Sequence, residues 1–179
     1  EEPDNVRVLM SLRNYYLSKE NQMMADSMTS RILFNRNTSE EDKIYLIRQE
    51  IQASENVGGD STKVLSLFQR MNAVKPDVNL LMLEATYRSL KKMPRDSINP
   101  VLERILDSAP DNAAARLQLV ANAWATEDMP RVVSLCQAAR QYNPDEMAFY
   151  YYQGIAYYKQ EQLDEALSAF QNGIGVITE

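Results

Sequence analysis

Ser89 and Lys92 stand three residues apart in "SLKK", the spacing at which a lysine amine can activate a serine hydroxyl for acyl transfer. Its companion motifs are missing, and the pair falls at the end of an expected helix, so the spacing reads as coincidence. The chain has no histidine and a single cysteine, Cys136. Ser-His and Cys-His nucleophile pairs therefore lack their base, and histidine zinc sites lack their ligands. One cysteine also excludes an intramolecular disulfide, and Cys136 falls at a core position of an expected helix, as a small hydrophobe. The acidic groups Glu40-Glu41-Asp42 and Asp145-Glu146 lie at expected helix N-termini, where capping and the helix dipole account for them without acid-base chemistry. "GGD" at 58–60, Gly173 and Gly175 have no phosphate-loop spacing and suit turns and helix ends. "NTS" at 37–39 fits an N-glycosylation acceptor, a match that is cheap in a polar loop. The sequence thus predicts no catalytic constellation, no metal site and no cofactor.

Charge narrows the partners. With 19 Lys and Arg against 25 Asp and Glu, the net charge is −6. Phosphate contacts need a basic stripe, so a general nucleic-acid binder is disfavoured. The most basic stretch, "YRSLKKMPR", reads as a solvated helix end where cations suit the dipole. No apolar run approaches the roughly 20 residues of a membrane-spanning helix, so no membrane insertion is expected. The opening "EEPDNV" carries no signal-peptide pattern and no initiator Met. A processed end is expected, in a soluble chain that is cytoplasmic or exported after loss of a targeting segment.

The elements that position these residues follow a repeat. "KPD", "APD" and "NPD" place Pro76, Pro110 and Pro144 at intervals of 34 residues, each followed by Asp. A fourth pair, Pro3-Asp4, lies 73 residues before Pro76, two periods plus five extra residues that "NRNTSEED" (35–42) is expected to absorb as a longer loop. Each period holds two apolar stretches separated by a polar turn, which predicts two helices. The Asp after each proline is expected to cap the first of them, and the proline to end the helix before it. Pro100 and Pro130 are expected in the first turn of a second helix, and Thr38 with Glu41 is expected to form a capping box. No segment alternates with period 2 for long enough to form a sheet.

A 34-residue helix-turn-helix repeat closing in proline resembles the tetratricopeptide repeat (TPR) family. The last repeat carries the resemblance best, with Tyr150, Gly154, Tyr157, Ala166, Phe170 and Gly173 on the family's signature positions; "LDEALSAF" is typical of its second helix. Earlier repeats are degenerate and hold mainly the period. The resemblance implies an all-α, right-handed superhelix of about five antiparallel helix pairs. A single repeat domain over residues 1–179 is expected, with repeats at about 3–42, 43–78, 79–112, 113–146 and 147–179, as a segment of a longer repeat protein.

"FYYYQGIAYY" (149–158) is legible in that frame. At 100° per residue Tyr150, Gly154 and Tyr157 share one helix face, and Gly154 admits the partner helix between the two rings. Tyr151, Ile155 and Tyr158 lie on the neighbouring face, on the positions that line the concave groove in the family. The same positions earlier are Leu83, Tyr87 and Leu90, then Leu117 and Trp124. These eight residues form an apolar-aromatic series suited to a helix or extended peptide with apolar anchors. Some of the rings would pack between adjacent first helices instead. The Lys, Arg and Asn with which the family grips a peptide C-terminal carboxylate are absent from the matching positions. The resemblance therefore implies a non-enzymatic scaffold that binds a partner protein or peptide. The alternative is a regulatory or sensory segment of a larger enzyme or signalling protein, docking through its ends around Leu167 and Phe170. As a segment of a longer repeat protein, the chain is also expected to expose an apolar face of its last helix that another repeat or a second copy covers. Self-association through that helix is a further expectation.

Overall fold

The computed structural model describes residues 4–74 and 76–178. Among these residues there are ten α-helices and no strand: α1 (Val6–Ser18), α2 (Gln22–Leu33), α3 (Glu40–Asn56), α4 (Thr62–Val74), α5 (Val78–Leu90), α6 (Arg95–Ser108), α7 (Ala113–Ala125), α8 (Met129–Tyr142), α9 (Met147–Lys159) and α10 (Leu163–Thr178). The chain is all-α, with two helices to each period. It divides into two compact units, residues 1–80 and 81–179. In the first, α1 packs on α2, α2 on α3 and α3 on α4. In the second, the succession runs α6 on α7, α7 on α8, α8 on α9 and α9 on α10.

Local chemistry sets the helix boundaries, though often one residue away from the expected place. Asp77 caps α5 through its carboxylate, which accepts from Leu80 N at 3.0 Å. At the other Pro-Asp pairs the next residue is the cap: Asn5 for α1, Asn112 for α7 and Glu146 for α9. Pro110-Asp111 and Pro144-Asp145 form a turn one step ahead of the helix. The backbone carbonyl of that Asp is used elsewhere, since Asn143 Nδ2 donates to Asp111 O and Asn35 Nδ2 donates to Asp4 O, each at 2.8 Å. Pro3 lies outside the described residues. The capping box before α3 is also displaced: Ser39 Oγ accepts from Asp42 N and bonds its carboxylate, while Thr38 is buried and donates to Ile32 O. Pro130 falls in the first turn of α8. Pro100 does not fall in a first turn, because α6 begins at Arg95 with Asp96 against its dipole and places Pro100 inside the helix.

The turns within repeats share one device. Glu20, Lys92, Glu127 and Glu161 all have positive φ, between 54° and 61°, just beyond the ends of α1, α5, α7 and α9. After each, a backbone N–H reaches back five residues, as Asn21 does to Tyr16 O and Gln162 to Tyr157 O. This is the left-handed closure that usually takes glycine. Only after α3 do glycines fill it, at Gly58 and Gly59.

The five extra residues are helix rather than loop. α1, α5, α7 and α9 have 13 residues each, whereas α3 has 17 and begins at Glu40, five residues ahead of Tyr45, the first position of the 34-residue frame.

Each unit has its own apolar core. Leu9, Ile32, Leu46, Ile47, Val64 and Phe68 are buried in the first; Leu81, Leu102, Ile105, Val120, Val132 and Phe149 are buried in the second. The first unit also buries charge. Arg13 of α1 donates to Thr29 of α2 at 2.9 Å, to Gln49 of α3 at 3.2 Å and to Glu50 of α3 at 2.7 Å. Lys63 of α4 completes the network with Glu50 at 2.8 Å and Asp26 of α2 at 2.7 Å. All four helices contribute, and the guanidinium and carboxylate at the centre are each about 4% exposed.

Candidate interaction site

The last helix pair shows how the signature residues act. Gly154 is buried, and a Cβ there would overlap the Phe170 ring, with Cδ1 only 2.7 Å away. Gly173 is its reciprocal, since a Cβ there would sit 2.9 Å from Tyr150 Cβ. The two glycines let α9 and α10 approach closely, each taking the other's ring. Ala166 is buried, while Tyr150, Tyr157 and Phe170 are half-buried. The Tyr150 hydroxyl finds its partner in Pro144 O at 2.8 Å.

With those rings turned inward, a different set faces outward. α5 and α7 are joined by a bond from Gln118 Nε2 to Ser89 Oγ at 2.8 Å. α7 meets α9 through Trp124 and Tyr152, edge to face at 6.3 Å, and Tyr152 meets Tyr151 in the same way at 5.6 Å. The Lys159 ammonium lies 4.6 Å from the Trp124 ring centre, within cation–π range. Along this surface Leu90, Tyr151 and Tyr158 are exposed by 77%, 51% and 64%. Leu83, Leu117, Trp124 and Ile155 are half-buried. Tyr87 is placed differently: it is buried rather than exposed. Tyr152, which the repeat frame leaves to the adjoining repeat or to solvent, packs on the adjoining repeat and links Trp124 to Tyr151. No motif marks it; its position in the repeat frame, beside Tyr151, is the signal.

Reactive groups are silent here. Burial pushes the Cys136 thiol up to about 12, with Arg116 and Arg140 pulling the other way, so it stays protonated in the core of the second unit. Ser89 donates nothing to a base and accepts from Gln118. Among the described residues no three acidic or thiol side chains group as a metal would require, and no helix is long and apolar enough to cross a membrane.

The class is defined by fold. No family model matches the sequence, and no curated protein matches it. Solved structures do. A crystal structure of MamA shares 11% identity over 96% of this chain and 91% of its own, with a TM-score of 0.59. MamA 41-end from Desulfovibrio magneticus RS-1 shares 17% identity over 97% and 95%, with a TM-score of 0.54. YrrB, described as a TPR protein with an unusual peptide-binding site, shares 15% identity over 98% and 88%, with a TM-score of 0.56. The chain has a TPR-type, all-α solenoid fold.

Proposed function

We propose that this protein is a non-enzymatic scaffold that binds a partner protein or peptide on the first-helix surface of its second unit. The reading rests on one observation: Tyr151 and Tyr158 stand exposed on α9, the helix that carries the Trp124–Tyr152–Tyr151 ring contacts, and Leu90 stands exposed on α5. Exposed apolar-aromatic strips of this kind mark interaction sites. Tyrosine and tryptophan anchor partners well, because they bury much area and lose little side-chain entropy. The peptide-binding site in the description of the structurally similar YrrB supports the same use. By resemblance the strip lies in a concave groove, and the occupant carries apolar anchors at helical or extended spacing.

A second reading is favoured by α10, where Leu163, Leu167, Ile174 and Ile177 are each at least 57% exposed. On that reading the protein docks through this helix, against a neighbouring domain or a second copy.

Selection from a random peptide library separates the two readings, using the 179-residue chain and a Tyr151→Ser/Tyr158→Ser variant of matched helicity. The strip reading expects enriched peptides with apolar anchors, whose affinity falls about tenfold or more in the variant, the equivalent of 1.4 kcal/mol. Equal binding by both proteins, or no enrichment, overturns it and leaves the α10 face as the better reading.

A further inference from the structure

The residues that break the 34-residue period build a cavity. The extra turn at the start of α3 and residues 34–36 wall a space of about 430 Å³ in the first unit, a volume within the ordinary range of small-molecule sites. Leu33, Met71 and Leu80 form its buried apolar floor, and the half-buried Phe34 ring stands at its side. Arg70 lies over that ring, 4.3 Å from its centre. The segment that carries Asn35 and Arg36 is braced in advance: buried Thr38 donates to Ile32 O at 2.7 Å, and Asn35 Oδ1 accepts from Asn37 N at 2.8 Å. A preformed wall lowers the entropic cost of binding.

The polar lining is asymmetric. Both carboxylates are engaged, since Glu40 accepts from Asn79 Nδ2 and Asp77 caps α5. The side-chain charges of the two cations, Arg36 and Lys43, make no hydrogen bond or ion pair with any described residue. Lys43 belongs to the inserted turn itself. We propose that this cavity binds a small organic carboxylate with an apolar body, its carboxylate between Arg36 and Lys43 and its hydrocarbon on Leu33, Met71 and Leu80. Arginine offers a planar fork matched to a carboxylate, and lysine adds a mobile point charge. The apolar floor selects for the body and the cations for the head. The site belongs to the first unit, so it is independent of the proposed peptide surface.

Calorimetric titration of the full 179-residue chain tests this, with decanoate and 3-phenylpropionate as carboxylate probes and 1-decanol as the uncharged control, all below micellar concentrations. One-site saturable binding of at least one carboxylate is expected. Where decanoate is the one that binds, it should do so about tenfold more tightly than decanol, the equivalent of 1.4 kcal/mol. Methyl NMR shifts should be confined to Leu33, Met71, Leu80 and their neighbours. Arg36→Gln/Lys43→Gln should remove that preference while leaving the far-UV circular dichroism and Tm unchanged; Arg36→Gln alone serves if the double variant is perturbed. Equal affinity for decanoate and decanol, full affinity in the variants, shifts elsewhere, or no saturable binding of either carboxylate would overturn the proposal.

Discussion

Arg13 and Glu50 meet in the interior of the first unit at 2.7 Å. A buried ion pair is not stabilising by default, because removing two charges from water costs several kcal/mol. Here the cost is offset by further partners. Arg13 also donates to Thr29 and Gln49, and the second Glu50 oxygen meets Lys63. Burial alone would raise the Glu50 carboxyl; the hydrogen bonds and charges of Lys63 and Arg13 outweigh it and hold the group below its ordinary value. A carboxyl lowered in the folded state stabilises the fold above its unfolded value of about 4.3, and that contribution drains away as pH falls through the folded value. Lys63 has the opposite sign. Burial would lower its value, Asp26 and Glu50 raise it above the ordinary one, and its contribution is lost only on the alkaline side. Glu50→Gln leaves the buried Arg13 without its carboxylate, while Lys63 keeps Asp26, so urea unfolding at pH 7 should show a loss of about 3 kcal/mol. The difference from the unsubstituted protein should shrink steadily from pH 5 to pH 3. A constant difference across that range would mean that Glu50 acts through shape and not through charge.

The α9–α10 pair is fixed by two ring-on-glycine contacts, Phe170 on Gly154 and Tyr150 on Gly173. Alanine would ordinarily suit a helix interior better than glycine by up to about 1 kcal/mol. At Gly154 the added methyl meets a ring it cannot pass, and overpacking of that kind costs about 1–3 kcal/mol. Gly154→Ala should therefore lower the midpoint of thermal unfolding, and adding Phe170→Leu should recover part of the loss. A strictly additive pair would show that the ring is not what excludes the methyl. This contact was legible in the sequence, because Tyr150, Gly154, Tyr157, Ala166, Phe170 and Gly173 sit at fixed offsets of a 34-residue frame. The paired helices were legible for the same reason. The Arg13–Glu50 network was not, since its two ends are 37 residues apart and nothing in either helix's own pattern announces a charge turned inward. The left-handed turns were hidden too, because Glu20, Lys92, Glu127 and Glu161 take a conformation usually signalled by glycine. The caps of α1, α3 and α7 moved by one residue because Asn and Ser beside the expected Asp and Thr serve at least as well, and at α9 Glu146 takes the place of Asp145. Tyr87 shows the limit at the candidate site, where a repeat position on the expected strip still packs inward.

In a repeat fold each helix pair is stabilised by its own packing and by its neighbours, so one weakened contact spreads to the next pair. Within the second unit α10 packs on α9, α9 on α8 and α8 on α7. Cys136 sits on α8, fully buried, one helix back from the Gly154 contact. Its thiol is pushed up to about 12, and only the thiolate reacts with disulfide reagents. Modification therefore requires α8 to open, which makes Cys136 a reporter of cooperativity across the unit. Native labelling by an aromatic disulfide reagent should be orders of magnitude slower than labelling in denaturant. If the unit opens as a whole, Gly154→Ala should speed the native reaction about tenfold for each 1.4 kcal/mol it removes from stability. An unchanged rate in that variant, with a lowered thermal midpoint, would show that α9 and α10 open without α8. The same result would locate the cooperative boundary between Tyr142 and Met147, where the fourth Pro-Asp turn already interrupts the helices.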